Sequence, residues 1–218
     1  MQNKAGIWVV AALVAGLIGG YFLGNVHNSP STVSSQLSMS QKQQDLSNAM
    51  RTLWDDHVAY TRLYIVEAVS GNPGTSATAA RLLQNQVDIG NAIKPYYGDD
   101  AGNQLTALLK THIQDAVDIL SAAKAGNQAK LATAKAAWYD NANQISTFLN
   151  QANPNNWPLA TLQAHMKDHL DLTLDEAVME LQGNYEASIA DYDKVHMHIL
   201  DLADILTQGL IAQFPNKF

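Results

Sequence analysis

The sequence predicts an all-α chain: an N-terminal membrane-spanning helix, a tether, then six helices in three repeated antiparallel hairpins. Three observations carry this. Residues Gly6 to Gly24 are 19 consecutive uncharged, mostly apolar positions. Beyond the tether, apolar residues recur at spacings of three and four with no sustained period of two. A Gly-Asn pair also stands fourteen residues after each of three histidines: Gly71-Asn72 after His57, Gly126-Asn127 after His112, Gly183-Asn184 after His169. Such agreement marks an internal triplication with a period of about 55 residues.

The N-terminal stretch is long enough, at helical rise, to cross about 30 Å of hydrocarbon. Lys4 precedes it, and no Lys or Arg follows until Lys42. The positive-inside rule then keeps residues 1–5 in the cytoplasm, makes 6–24 a single-pass anchor in the cell membrane, and places the rest outside. A cleaved signal peptide is the competing reading, but no Ala-x-Ala site follows the apolar run and the Ser29/Ser31 pair is a weak substitute. Ala12, Gly16, Gly20 and Gly24 recur every fourth residue, a ridge of small side chains through which a second anchor could approach to form a homo-oligomer. Residues 25–44 are rich in Ser, Gln and Asn and contain Pro30, as suits a flexible tether.

The helical domain is expected over 45–218, with hairpins at about 45–98, 99–156 and 157–218. The first helices carry the stripes Leu46, Met50, Leu53, His57, Thr61, Tyr64, Ala68; Leu105, Leu109, His112, Ala116, Ile119, Ala123; and Leu162, Met166, His169, Thr173, Glu176, with Met179 or Glu180. Each Gly-Asn should end its helix, because Gly takes the left-handed conformation and Asn suits the turn. The return stripes are Ala79, Leu82, Asn85, Ile89, Ile93; Leu131, Ala134, Trp138, Asn141, Ile145, Phe148; and Ile189, Asp193, His196, Leu200. Pro95, Pro154 and Pro215 should close the three units. Closure into a bundle and stacking as a short solenoid both remain open.

The hairpin geometry sets polar residues level with one another. His57 and Asn85 each lie fourteen residues from Gly71, about 21 Å along facing helices. The same spacing, within a residue, pairs His112 with Asn141 and His169 with His196. Such a layer has two readings. It can pin the register of the hairpins, each imidazole satisfied by its amide, since an unsatisfied buried polar group costs about 1–3 kcal/mol. Or it can hold a divalent transition metal, zinc, copper or iron, on His57, His112, His169 and His196. His165 stands four residues before His169 on the same face and Glu176 lies on the core stripe, so these extend the candidate ligand set; Asp193, at i, i+3 spacing from His196, joins Asn85 and Asn141 in the polar layer. Met166 and Met197 beside histidines would suit copper.

Other classes are disfavoured. Hydrophobic residues make up 47 % of the 218 positions, charged ones 15 %, so the chain is globular with room for one domain and an anchor. A net charge of −7, from 13 Lys+Arg against 20 Asp+Glu, argues against nucleic acid. The chain has no cysteine, hence no disulfide or thiolate chemistry. There is no phosphate loop, nucleophile elbow or zinc-protease helix motif, and no catalytic residue is assigned. Asp55 or Asp56 could orient His57, although one of them is expected in solvent; Arg62 and Arg81 could pair with core-side carboxylates or an anionic ligand but are expected mainly at the surface; Trp54, Trp138, Trp157, Tyr96 and Tyr97 read as packing anchors.

Trp54-Asp55-Asp56-His57-Val58 with Thr61-Arg62, Trp138-Tyr139-Asp140-Asn141-Ala142, His169-Leu170-Asp171-Leu172-Thr173 with Glu176, and the terminal Gln213-Phe214-Pro215-Asn216-Lys217-Phe218 together resemble an uncharacterised family of small bacterial helical proteins. The resemblance spans about Leu46 to Phe218 and leaves out the anchor and tether. Some of its members carry transferase or kinase labels, which nothing in these residues supports. Relatives have a glutamate where this chain has His196, so the resemblance implies no fixed ligand set there. The functional expectation is a membrane-anchored, extracytoplasmic helical bundle acting as a binding or interaction module. An envelope metal-binding protein using the histidine layer is the alternative, and an enzyme with a histidine general base the residual one.

Overall fold

A computed structural model describes residues 39–218; the expected anchor at 6–24, its small-residue ridge and most of the tether lie outside the described residues. Those described form six α-helices and a final 3-10 turn, with no strand among them. The helices are α1 (Gln41–Ser70), α2 (Thr75–Tyr97), α3 (Asp99–Lys124), α4 (Gln128–Ala152), α5 (Leu159–Leu181) and α6 (Tyr185–Gln213). None of the six is long and apolar enough to cross a membrane. Helix α1 takes in the last four residues of the expected tether. Ser40 caps it, accepting from the Gln43 amide N–H at 3.2 Å while Gln43 Oε1 accepts from the Ser40 N–H at 2.9 Å.

The repeated Gly-Asn pairs behave as physics requires. Gly71, Gly126 and Gly183 adopt φ of 72°, 65° and 73°, the left-handed region in which a Cβ is strained. Asn127 and Asn184 then cap the returning helix through their side chains. The first hairpin has a longer turn, in which Asn72 Oδ1 accepts from Gly74 N–H at 2.7 Å. Pro95 does not close its unit. It is carried inside the last turn of α2, and Gly98, at φ 85°, ends that helix.

Neighbours in sequence are neighbours in space throughout, and α6 packs back against α1, so the three hairpins close into a bundle. The seam between the first two hairpins is backbone against backbone. A Cβ at Gly90 would stand 2.5 Å from the Gly102 carbonyl oxygen, and one at Gly102 would stand 2.6 Å from that of Gly90. The shared core includes Met50, Trp54, Ile89, Leu109, Trp138, Ile145, Leu162, Leu170, Ile199 and Leu206.

Five of the six expected stripes face this core; the α6 stripe does not. Ile189 is 55 % exposed, Asp193 is exposed and His196 is half-buried. The buried side of α6 runs Ser188, Val195, Ile199, Leu202, Leu206, Leu210, about one position out of phase with the expected one. One position is about 100° of helix rotation, enough to exchange inside for outside.

Candidate metal centre

The first helix of each hairpin turns one histidine into the core at the same height. His57 on α1, His112 on α3 and His169 on α5 are 3 %, 3 % and 4 % exposed. Their ring centroids are 6.4 Å (His57–His112), 5.7 Å (His57–His169) and 6.1 Å (His112–His169) apart. One nitrogen from each lies within 4.8 Å of the other two, and among the described residues this is the trio that could share one ion. Three nitrogens on one ion at about 2.0 Å stand roughly 3.3–3.5 Å apart, so even a pair at that limit needs to close by little more than about an ångström. Between them is a cavity of ≈ 10 Å³, otherwise walled by Trp54, Leu109, Met166, Ile199 and Leu202. That is about the space of one small occupant. Trp54 meets His57 edge-on at 5.7 Å and Trp138 lies against His112 at 5.2 Å, which holds both rings in place.

Amides from the return helices orient two of the rings. Asn141 donates from Nδ2 to the Leu108 carbonyl at 3.1 Å, which leaves its Oδ1 to accept from His112 Nδ1–H at 3.0 Å. The proton of neutral His112 is therefore on Nδ1 and the lone pair on Nε2. A metal-ligating histidine commonly has this outer partner, which fixes the tautomer and raises the basicity of the other nitrogen. In the first hairpin the work is divided. Asn85 donates to the Leu53 carbonyl at 2.9 Å, and the next residue, Gln86, meets His57 Nδ1 at 3.3 Å. Gln86 Nε2 also faces the Leu82 carbonyl and Asn85 Oδ1, three acceptors for two hydrogens, while its Oε1 has no partner. His169 Nδ1 is buried and has no partner among the described residues.

The electrostatics keep all three rings neutral. Burial, then the charge of His112, lowers the pKa of His57 from 6.5 to about 3, against a smaller opposing effect of Gln86. Burial takes His112 to about 4, the Asn141 bond again opposing. His169 falls well below its ordinary value through burial first, then the charges of His57, His112 and His198. A neutral imidazole is the form that binds a metal. No carboxylate lines the cavity.

No family model, curated protein or solved structure matches this chain.

The other candidate ligands lie elsewhere. His196 is on the outer side of α6, where its Nε2 meets Asp55 Oδ1 at 2.8 Å. Asp193 is exposed and outside the layer. His165 is one helical turn from His169, outside the trio, with its ring 5.2 Å from that of His198. Glu176 is buried but belongs to a separate cluster, in which Arg62 reaches Glu176 at 3.2 Å and Glu180 at 3.3 Å. Ser188 completes it, bonded to Arg62 and donating to Glu180 Oε2 at 2.9 Å. Burial pushes Glu176 from 4.5 to about 7, although Arg62 opposes the shift. Arg62 is thus drawn inward, contrary to the surface position expected for it. Asp56 pairs with Arg81 at 2.8 Å, so neither acid beside His57 orients that ring.

His198 is the residue the spacing argument missed. It donates from Nε2 to the His165 carbonyl at 2.9 Å, as Asn85 does to Leu53 and Asn141 to Leu108. Each accepting carbonyl belongs to the residue four before the layer histidine. His198 therefore holds the third copy of the amide position, and its ring lies parallel to His169 within 7° at 6.5 Å. Counting from His112 to Asn141 rather than from Gly71 to Asn85 would have found it.

A second cavity, ≈ 440 Å³, opens toward the hairpin turns from the layer. Its wall is mainly apolar, including Ile65, Leu82, Ile113 and Leu174; Trp138 is common to it and to the packing of His112.

Proposed function

We propose that the helical domain binds one transition-metal ion, copper(I) in preference to zinc(II), on His57, His112 and His169. The observation that carries this reading is the convergence of three buried, neutral imidazoles, one from each hairpin, on a cavity the size of one ion. A register-pinning layer needs each imidazole satisfied, whereas His169 Nδ1 is not. The choice of ion follows from charge and softness. Three neutral ligands in a dry pocket leave a dication uncompensated, and a monocation costs less to bury. Imidazole accepts either ion, and the Met166 thioether at the same cavity is a copper(I) type of ligand.

Titration of the purified full chain against a chromophoric copper(I) chelator should find one tightly held ion per chain. His112→Ala or His169→Ala should abolish that uptake, and His196→Ala should not. Uptake that survives both triad substitutions sinks the proposal; tight zinc with no copper(I) overturns the choice of ion. The anchor expected at 6–24 would place this centre at the outer face of a membrane, and a reporter fused after Phe218 tests that side. The ≈ 440 Å³ cavity favours a second reading, a binding module for a small apolar molecule, because its volume falls within the range of ligand pockets. An apolar probe that shifts Trp138 emission, and is excluded by Ala116→Phe, would support it.

A further inference from the structure

The third hairpin departs from the repeat at two positions, and both departures are to histidine. Where the first two hairpins have Leu53 and Leu108, it has His165; where they have Asn85 and Asn141, it has His198. Neither change is needed for the bond that the position makes, since an amide supplies the same hydrogen to the same carbonyl. What the two changes create together is a pair of half-buried rings 5.2 Å apart, beside the buried trio. Two imidazoles on one tetrahedral ion have centroids roughly 5 Å apart.

The nitrogens are in the right state for a ligand. His198 donates its Nε2 hydrogen to the His165 carbonyl, so in the neutral ring Nδ1 carries a free lone pair. His165 Nδ1 is buried and has no partner among the described residues. A backbone carbonyl holding the far N–H of an imidazole is the outer arrangement usual for metal-ligating histidine. Exposed Asp168 and Asp201 lie near enough for their charges to act on His165, which draws cations to this face. On the inner side, His198 stacks on His169 at 6.5 Å and 7°. The half-buried rings of His165 and His198 thus stand in a file that ends on the buried ring of His169.

We propose that His165 and His198 form a second, outer metal site, the port through which the buried trio gains and loses its ion. The ion is passed by ligand exchange, without change of oxidation state: it binds His165 and His198, then exchanges these nitrogens one at a time for those of His169, His112 and His57. Association with a fully buried trio would otherwise wait for the bundle to open. This inference rests on the copper(I) reading of the trio.

The test rebuilds the third hairpin in the image of the second. His165→Leu with His198→Asn restores the Leu108 and Asn141 arrangement and keeps a hydrogen for the residue 165 carbonyl. Stopped-flow mixing of the full chain with a copper(I)–chelator complex reads loading, and excess free chelator reads release. The expected result is loading and release both slower by about tenfold or more, at unchanged equilibrium affinity. Equal rates in the two proteins overturn the port and leave the trio standing. Weaker affinity with faster release also overturns it, by making the pair a support of the trio. A wild-type chain that takes no copper(I) overturns the trio reading and the port with it. Should the double variant unfold, His198→Asn alone carries the same comparison.

Discussion

Acidifying the metal-free protein should destabilise it through the buried trio, by an amount set by the folded pKa values of three imidazoles and one carboxyl group. His57 and His112 have folded pKa values of about 3 and 4 against 6.5 when unfolded, and His169 is shifted the same way. The unfolded chain therefore binds more protons, so stability is full above pH 6.5 and falls as the pH drops toward 4. Between pH 7.5 and 5 each imidazole removes about 2 kcal/mol, about 6 kcal/mol for three. Glu176 acts in the opposite sense. Its folded pKa of about 7 lies above 4.5, so protonation below pH 7 favours the folded state. Over the same range it returns about 2 kcal/mol, leaving a net loss of about 4 kcal/mol. Domains are typically stable by about 5–15 kcal/mol, so roughly a quarter to four-fifths of the margin goes. Urea denaturation of chelator-treated protein at pH 7.5, 6.5, 5.5 and 5 measures this directly. The midpoint should fall by about 2 M, taking a slope of about 2 kcal/mol per molar. In Glu176→Gln the drop should be steeper, because the compensating group is gone. A midpoint that stays level from pH 7.5 to 5 would refute the burial of three neutral rings.

Three further outcomes follow from the geometry. Gly90→Ala should cost about 2 kcal/mol in thermal or urea denaturation, because the new Cβ meets the Gly102 carbonyl oxygen at 2.5 Å and backbone cannot yield cheaply. Arg62→Met leaves Glu176 and Glu180 buried without their cation and should cost about 3 kcal/mol at pH 7.5; adding Glu176→Gln, or lowering the pH to 6, should recover part of it. Copper(I) loading should quench tryptophan emission, since Trp54 and Trp138 lie against His57 and His112, and His112→Ala should remove the quenching at one equivalent.

The hairpins and the trio were legible because the repeat supplies an internal ruler. Gly71, Gly126 and Gly183 mark equivalent turns, and fourteen residues back from each is a residue of the same layer. The return helices were less legible because Asn85 and Asn141 stand at different distances from their glycines, fourteen residues and fifteen. That uncertainty of one residue selected His196 over His198 and placed Asp193 inside. Reading α6 to its end would have corrected it: Val195, Ile199, Leu202, Leu206 and Leu210 form a longer stripe than Ile189, His196 and Leu200. Arg62, Glu180 and Ser188 come from α1, α5 and α6, and no spacing within one helix announces such a cluster. Glu176 was correctly placed in the core, but its partner there is a cation from another helix.

X-ray absorption at the copper edge of the full chain, loaded with one equivalent of copper(I), tests the central claim most directly. Three imidazole nitrogens at about 2.0 Å, lost in His169→Ala and unchanged by His196→Ala, are the predicted result. A first shell with fewer than three imidazoles, or one indifferent to His169, would contradict a buried three-histidine centre.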